Sequence, residues 1–276
     1  MSFFGPVFAN PMVGLEYDRF INASVELLLY IVGKSNSNNA ASKGTIRSQQ
    51  EAGDLDSSEV EIYLNLGSVG TYKQIIRDKR PFSKGRDGDK GYVEADHIPP
   101  LDSLRRAEQD PEFWMLRQRN PALYDMVMSL RDDPHGRNLL TVQVSTQHHR
   151  EALSTGNSRA SRAVRGVLAR RIARAEVKVM LKQAFIIAHP FVSRQIRDHA
   201  EIVNKAPTER ILISADRTMD IYRRAFMEVI KYYYEKRIIT AIEVLELMQY
   251  VENHGYTDIQ SSEYKEIFDT VKRSQK

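Results

Sequence analysis

Two short stretches of the chain carry the side-chain types that metal-assisted hydrolysis uses. Gly91 to Pro100 reads GYVEADHIPP and Asn138 to Arg150 reads NLLTVQVSTQHHR. Together they supply a carboxylate for a hard cation, an imidazole that can act as a base near neutral pH, and a second imidazole for the metal. A strand period of two puts Glu94 and Asp96 on one face, where both carboxylates could approach one cation. His97 stands beside Asp96 where Pro99 and Pro100 stop the strand, which frees its ring to face a cleft. Asn138 could orient that ring or bind the metal through its amide. His148 and His149 are neighbours on a helix and point about 100° apart, so at most one of them faces the cation. Arg150, with Ser154, Thr155, Asn157 and Arg159 just beyond, offers donors for a phosphodiester backbone. The chemistry this set would serve is phosphodiester hydrolysis.

The elements that must position these groups can be read from period and punctuation. Tyr92 to Ile98 is a short strand, Leu139 to Val144 is a second one, and Ser145 or Thr146 caps the helix that carries His148 and His149. Between the strands, Asp102 to Glu108 and Pro121 to Leu130 are helical, the latter with Leu123, Met126, Val127 and Leu130 on one face, and Asp132 to Gly136 (DDPHG) breaks it. Upstream, Leu15 to Val32 reads as an amphipathic helix and Gly33 to Ser58 as a Ser-, Asn- and Gly-rich linker. Val60 to Gly67 alternates at strand period, Thr71 to Ile76 follows after a Ser-Val-Gly turn, and Lys79 to Lys90 is a charged loop.

Downstream, one long helical pattern runs from Ser158 to Ala188. Its first half carries Arg159, Arg162, Arg165, Arg170, Arg171 and Arg174 against Glu176 alone. With so few local acids, this face is either a solvated, ion-paired surface or one that meets phosphates. Helices follow over Thr218 to Lys236, Thr240 to Asn253 and Ser262 to Arg273. His135, His189, His199 and His254 read as structural or solvent-exposed. The consecutive Tyr232, Tyr233 and Tyr234 do not share a face and read as partly buried. Ile242, Leu245 and Met248, with Val244 and Leu247, read as a helix-packing stripe.

The 276 residues, 42% hydrophobic and 28% charged, suffice for a substantial core, and a net charge of +4 permits a nucleic-acid partner without requiring one. No cysteine is present, which removes disulfides, Cys-ligated zinc and Cys nucleophiles together. The N-terminus lacks a basic signal-peptide region, and the most apolar stretch, Val25 to Val32, is far shorter than the roughly 18 residues of a membrane span. The expectation is a cytoplasmic or nuclear protein with no signal peptide and no membrane span.

The string Ala95-Asp96-His97-Ile98-Pro99, followed by Asn138-Leu139 and then His149-Arg150, resembles the HNH group of His-Me finger (ββα-metal) nucleases. The closer likeness is to HNH-like modules of polymorphic toxins and to animal proteins with similar Asp-His-Ile-Pro and Ser/Thr-Thr-Gly-Asn-Ser motifs, here Ser154 to Ser158. It covers roughly Tyr63 to Ile172. The resemblance implies Asp96 as a metal ligand, His97 as the general base, Asn138 as the residue that positions base or metal, and His149 as the second ligand with His148 as the alternative. The gap from His97 to Asn138 exceeds that of a compact motif and requires a helical insertion.

The expected fold is therefore α+β: a small ββα-metal core with a helical insertion, flanked by an N-terminal helix and a helical C-terminal half. The expected divisions are an N-terminal segment (1–33), a linker (34–58), the nuclease-like module (59–190) and a C-terminal helical region (191–276). The expected activity is endonucleolytic cleavage, of DNA ahead of RNA, with Mg²⁺, Mn²⁺, Zn²⁺ or Ni²⁺. Arg150, Asn157, Arg159, Arg162 and Arg170 would contact the nucleic acid. The competing reading is a catalytically silent module of the same fold that binds protein or nucleic acid.

Overall fold

The computed structural model describes residues 66–77, 93–200 and 215–275. The helix read over Leu15 to Val32, the linker after it, most of the strand read over Val60 to Gly67, and the loop Lys79 to Lys90 lie outside those residues. The described part is mixed α and β, mostly helical, with one three-stranded antiparallel sheet.

The sheet is built from β1 (Val69–Thr71), β2 (Val93–His97) and β3 (Leu140–Ser145) in the order β1-β3-β2. Val69 lies opposite Val142 from one side, and Asp96 lies opposite Val142 from the other. Glu94 faces Val144 and His97 faces Thr141. Residues directly opposite share a face, so Glu94 and Asp96 project to one side of the sheet and His97 to the other. Central β3 is buried from Leu140 to Val144 because helices cover both of its faces, which is why it reads as a nearly continuous apolar run.

The segment read as a Ser-Val-Gly turn is in fact mostly β1, and the residues after it form a helix, α1 (Tyr72–Arg77). The ladder to β3 supplies partners that the local sequence does not reveal. The helix start is a capping box: the Thr71 hydroxyl accepts from the Gln74 backbone N–H, and the Gln74 side chain accepts from the Thr71 backbone N–H at 2.9 Å.

Between β2 and β3 the chain makes the expected helical excursion, α2 (Leu101–Ala107), α3 (Phe113–Arg119), α4 (Pro121–Met128) and a 3₁₀ turn (Ser129–Arg131). Its ends meet because His97 pairs with Thr141. Loop closure grows only slowly in cost with length, so the insertion is tolerated. Asn120 holds it from two sides, accepting from the Leu123 N–H to cap α4 and donating to the Ile238 carbonyl at 2.7 Å.

After β3 come α5 (Thr146–Glu151), α6 (Arg159–Ala173), α7 (Val177–Ala188), α8 (Pro190–His199), α9 (Ala215–Glu235), α10 (Ala241–Glu252) and α11 (Ser262–Arg273). The single long helix read over Ser158 to Ala188 is thus two helices. Ala175 adopts φ 60°, its N–H reaches the Ile172 carbonyl, and the Glu176 N–H reaches the Arg171 carbonyl. That is a Schellman cap with alanine where glycine is usual. Arg237 (φ 58°) ends α9 in the same way. In the stripe read on α10, Val244, Leu247 and Met248 are buried, but Ile242 points out at 51% exposure.

One hydrophobic core runs from Leu66 to Val271 and includes residues on both sides of position 190. Phe185 of α7 stacks on Phe226 of α9 at 4.3 Å. Among the described residues no helix is long and apolar enough to cross a membrane. Just before β1 the chain approaches α9 closely at Gly67 (φ +84°), where a Cβ would stand 2.9 Å from Ile221 Cγ2 and 3.1 Å from its carbonyl oxygen. Gly67→Ala adds left-handed strain to a backbone clash, so urea unfolding is expected to show a loss of about 2 kcal/mol or more.

Candidate active site

The face of β2 that carries Glu94 and Asp96 is covered by α5, whose first turn Ser145 caps by accepting from the His148 N–H at 3.1 Å. The cap sets the helix phase, and the phase separates the two histidines. His149 turns back to the sheet: its Nδ1 stands 4.0 Å from Asp96 Oδ2, and its Nε2 stands 3.3 Å from Glu94 Oε2. The two carboxylates therefore bracket the ring from opposite nitrogens and do not converge on one point. His149 Nδ1 is buried and has no hydrogen-bond partner.

His148 goes the other way. Its ring is 3% exposed and lies against Tyr222 and Phe191, and burial pushes its pKa down to about 4. This corrects its reading as an alternative metal ligand, because the ring packs into the aromatic cluster while His149 is the one that stands beside Asp96 and Glu94. His189 sits in the same cluster, stacked with Tyr256, and its pKa is pushed down to about 3 by burial. It also caps α8, accepting from the Val192 N–H at 3.4 Å. His135 and His199 are exposed, and His254 bonds to the Tyr256 hydroxyl at 2.9 Å.

Asp96 is 6% exposed and accepts a hydrogen bond from the Ser154 hydroxyl at 2.9 Å. Burial raises its pKa, against the lowering pull of His149 and Ser154. His97, the last residue of β2, stacks on Tyr72 at 5.3 Å, and its Nε2 donates to the Gly136 carbonyl at 3.2 Å. A carbonyl only accepts, so Nε2 carries the proton and Nδ1 keeps the lone pair. Burial lowers the His97 pKa despite the raising effects of that carbonyl and of Asp96. The ring is therefore a neutral base at pH 7.

Asn138 is exposed, and its backbone N–H is held by Asp133 at 3.2 Å. The role of orienting His97, read for Asn138, belongs to Gly136 two residues earlier. Gly136 has φ +58°, and a Cβ there would come within 2.9 Å of Leu101 Cδ1 and 3.2 Å of His97 Nε2. The DDPHG string, read only as a helix breaker, held that signal. Tyr72 left no signal of its role. Ser154 and Thr155, read as phosphate donors, spend their hydroxyls inward, on Asp96 and on the His149 and Ala152 carbonyls.

Of the residues read as a nucleic-acid surface, Arg150, Asn157, Arg159, Arg162 and Arg170 are all exposed. The rest of the arginine-rich helix differs. Arg165 is buried on Asp102, Arg171 pairs with Glu176 and Glu266, and Arg174 pairs with Glu112. Those acids come mostly from other helices, which is why the local sequence appeared poor in them.

An ion about 2.1 Å from each of two ligand atoms holds them roughly 3 to 4.2 Å apart as the angle at the ion opens. The 4.0 Å between Asp96 Oδ2 and His149 Nδ1 is wider than the roughly 3.0 to 3.4 Å of neighbouring ligands in octahedral or tetrahedral sites, so the pair would close by about 0.6 Å or more on an ion, and Nδ1, buried without a hydrogen-bond partner, is the atom that would meet it. Oxygen plus imidazole suits Mg²⁺, Mn²⁺, Zn²⁺ or Ni²⁺. Among the described residues no group of three or more His, Cys, Asp or Glu is close enough to enclose an ion. No family model, curated protein or solved structure matches the chain.

Two stability effects follow. An acid whose pKa is raised by folding loses stability as pH climbs through that raised value. Asp96→Asn is therefore expected to raise the thermal midpoint of the metal-free protein at pH 7. For His148 and His189 the unfolded rings protonate first, so stability falls as pH drops from about 6.5 toward about 4 and about 3. His189→Asn, whose amide oxygen still accepts the Val192 N–H, is expected to flatten that fall in a series of melts between pH 7 and pH 4.

Proposed function

We propose that this chain is a divalent-metal-dependent endonuclease that hydrolyses phosphodiester bonds in nucleic acid, DNA ahead of RNA, with a ββα-metal core made by β2, β3 and α5. The observation that carries the reading is the pairing of buried Asp96 Oδ2 with the unpartnered His149 Nδ1 at 4.0 Å; His97, the last residue of β2, lies on the other side of the sheet and would reach the same phosphate around the end of the strand. Asp96 and His149 would hold the ion. Bound there, it would supply a Lewis acid that stabilises negative charge on the leaving 3′ oxygen.

The remaining steps belong to the chain. His97 Nδ1 accepts a proton from a water, whose oxygen attacks phosphorus as the bond to the 3′ oxygen breaks. The Gly136 carbonyl holds the proton on Nε2 and so fixes which nitrogen is basic. Tyr72 stacking limits rotation of the ring. Arg150, Asn157, Arg159, Arg162 and Arg170, all exposed, would give donors to backbone phosphates.

The test is cleavage of plasmid DNA and of structured RNA with Mg²⁺, Mn²⁺, Zn²⁺ or EDTA. Wild-type protein is expected to nick DNA only with metal, and His97→Ala to lose about 10²-fold or more in rate while still retarding DNA on a gel. Cleavage by His97→Ala at the wild-type rate would overturn the assignment of the base. No cleavage by folded wild-type protein under any metal would overturn the nuclease reading itself.

A further inference from the structure

We infer that Ser154, locked in place by the buried Arg165, is a positioning residue for the Asp96 carboxylate. This rests on the metal-site reading above and assigns work to two residues that touch neither ion nor substrate. Ser154 is 4% exposed, and its hydroxyl donates to Oδ2, the same oxygen that stands nearest His149 Nδ1. A carboxylate oxygen has two lone pairs. With one taken by Ser154, rotation of the carboxyl group is stopped and the other is left for an ion.

The hydroxyl can do this only if its own backbone is fixed, and it is fixed from both ends. The Ser154 N–H donates to the Ile187 carbonyl at 3.0 Å. Its carbonyl accepts from Arg165 Nη1 at 3.3 Å, and the same nitrogen donates to the Gly156 carbonyl at 2.9 Å. Arg165 Nε meets Asp102 Oδ2 at 2.9 Å, so one side chain joins α6, α2 and the loop after α5. On the other side of that loop, Arg197 donates to the Glu151 and Ala152 carbonyls and Ser193 accepts from the Leu153 N–H. Burying a guanidinium is costly, and packing alone would be served as well by leucine. What leucine lacks is the fork that satisfies two loop carbonyls and a carboxylate at once.

The experiment is calorimetric titration of Mn²⁺ alone into the full-length protein and its variants, beside thermal melts. Ser154→Ala removes one atom and is expected to weaken Mn²⁺ binding by about 10-fold or more. Arg165→Lys, which keeps the charge and loses the fork, is expected to act in the same direction. Ser161→Ala deletes an equally buried hydroxyl, on α6 beside the Ser158 cap, and is expected to leave Mn²⁺ affinity unchanged. If wild-type protein binds Mn²⁺ and Ser154→Ala binds it equally well, the positioning role is overturned and the metal site stands. If Ser154→Ala and Ser161→Ala weaken binding alike, the effect is general packing and the role is likewise overturned. If wild-type protein binds no Mn²⁺, the metal reading falls and this inference falls with it.

Discussion

Among the described residues the Asp96 carboxylate is buried with one hydrogen bond, from Ser154, and a carboxylate taken out of water depends on the few groups placed around it. Much of the surrounding architecture holds those groups in place. β3 supplies the ladder opposite Asp96, Ser145 sets the phase of α5, and the loop from Glu151 to Gly156 is gripped by arginines from α6 and α8. Tyr222 lies close enough to Asp96 that the carboxylate raises its pKa, beyond the larger effect of burial. The C-terminal helices are thus the floor beneath the candidate site.

The arginines show how one residue type serves unrelated ends. Arg165 and Arg197, 6% and 8% exposed, satisfy backbone carbonyls that no strand or helix would otherwise engage. Arg171 and Arg174 tie helices to one another through Glu176, Glu266 and Glu112. Arg159, Arg162 and Arg170 remain on the outer face of α6. A count of arginines along the helix cannot separate these groups. The helical period comes closer, because the three exposed positions lie on one stripe, but which stripe faces out is decided by α2 and α11.

Parts of this were legible in the chain itself. Strand period placed Glu94 and Asp96 together, the prolines ended β2, and Ser145 announced α5. The long interval from His97 to Asn138 required an insertion whose ends meet, and His97 opposite Thr141 meets that requirement. Other features were illegible for identifiable reasons. The break at Ala175 uses a residue that ordinarily continues a helix. Which of His148 and His149 turns to the sheet depends on the cap geometry and on the presence of Tyr222 and Phe191 beneath. The Gly136 carbonyl displaced Asn138 as the partner of His97 because a main-chain group leaves no side-chain signature.

The division of the site between β2 and the segment from β3 to Gly156 also bears on how the protein is made. Asp96 and His97 are translated well before His149 and Ser154, and Tyr222 follows later still. Contacts so distant in sequence form slowly, because closure entropy is spent before they repay it. A nascent chain emerging from the ribosome therefore carries Asp96 and His97 before the residues that pack around them exist. The arrangement of Asp96 and His149 is completed only once the helices beneath it have been made.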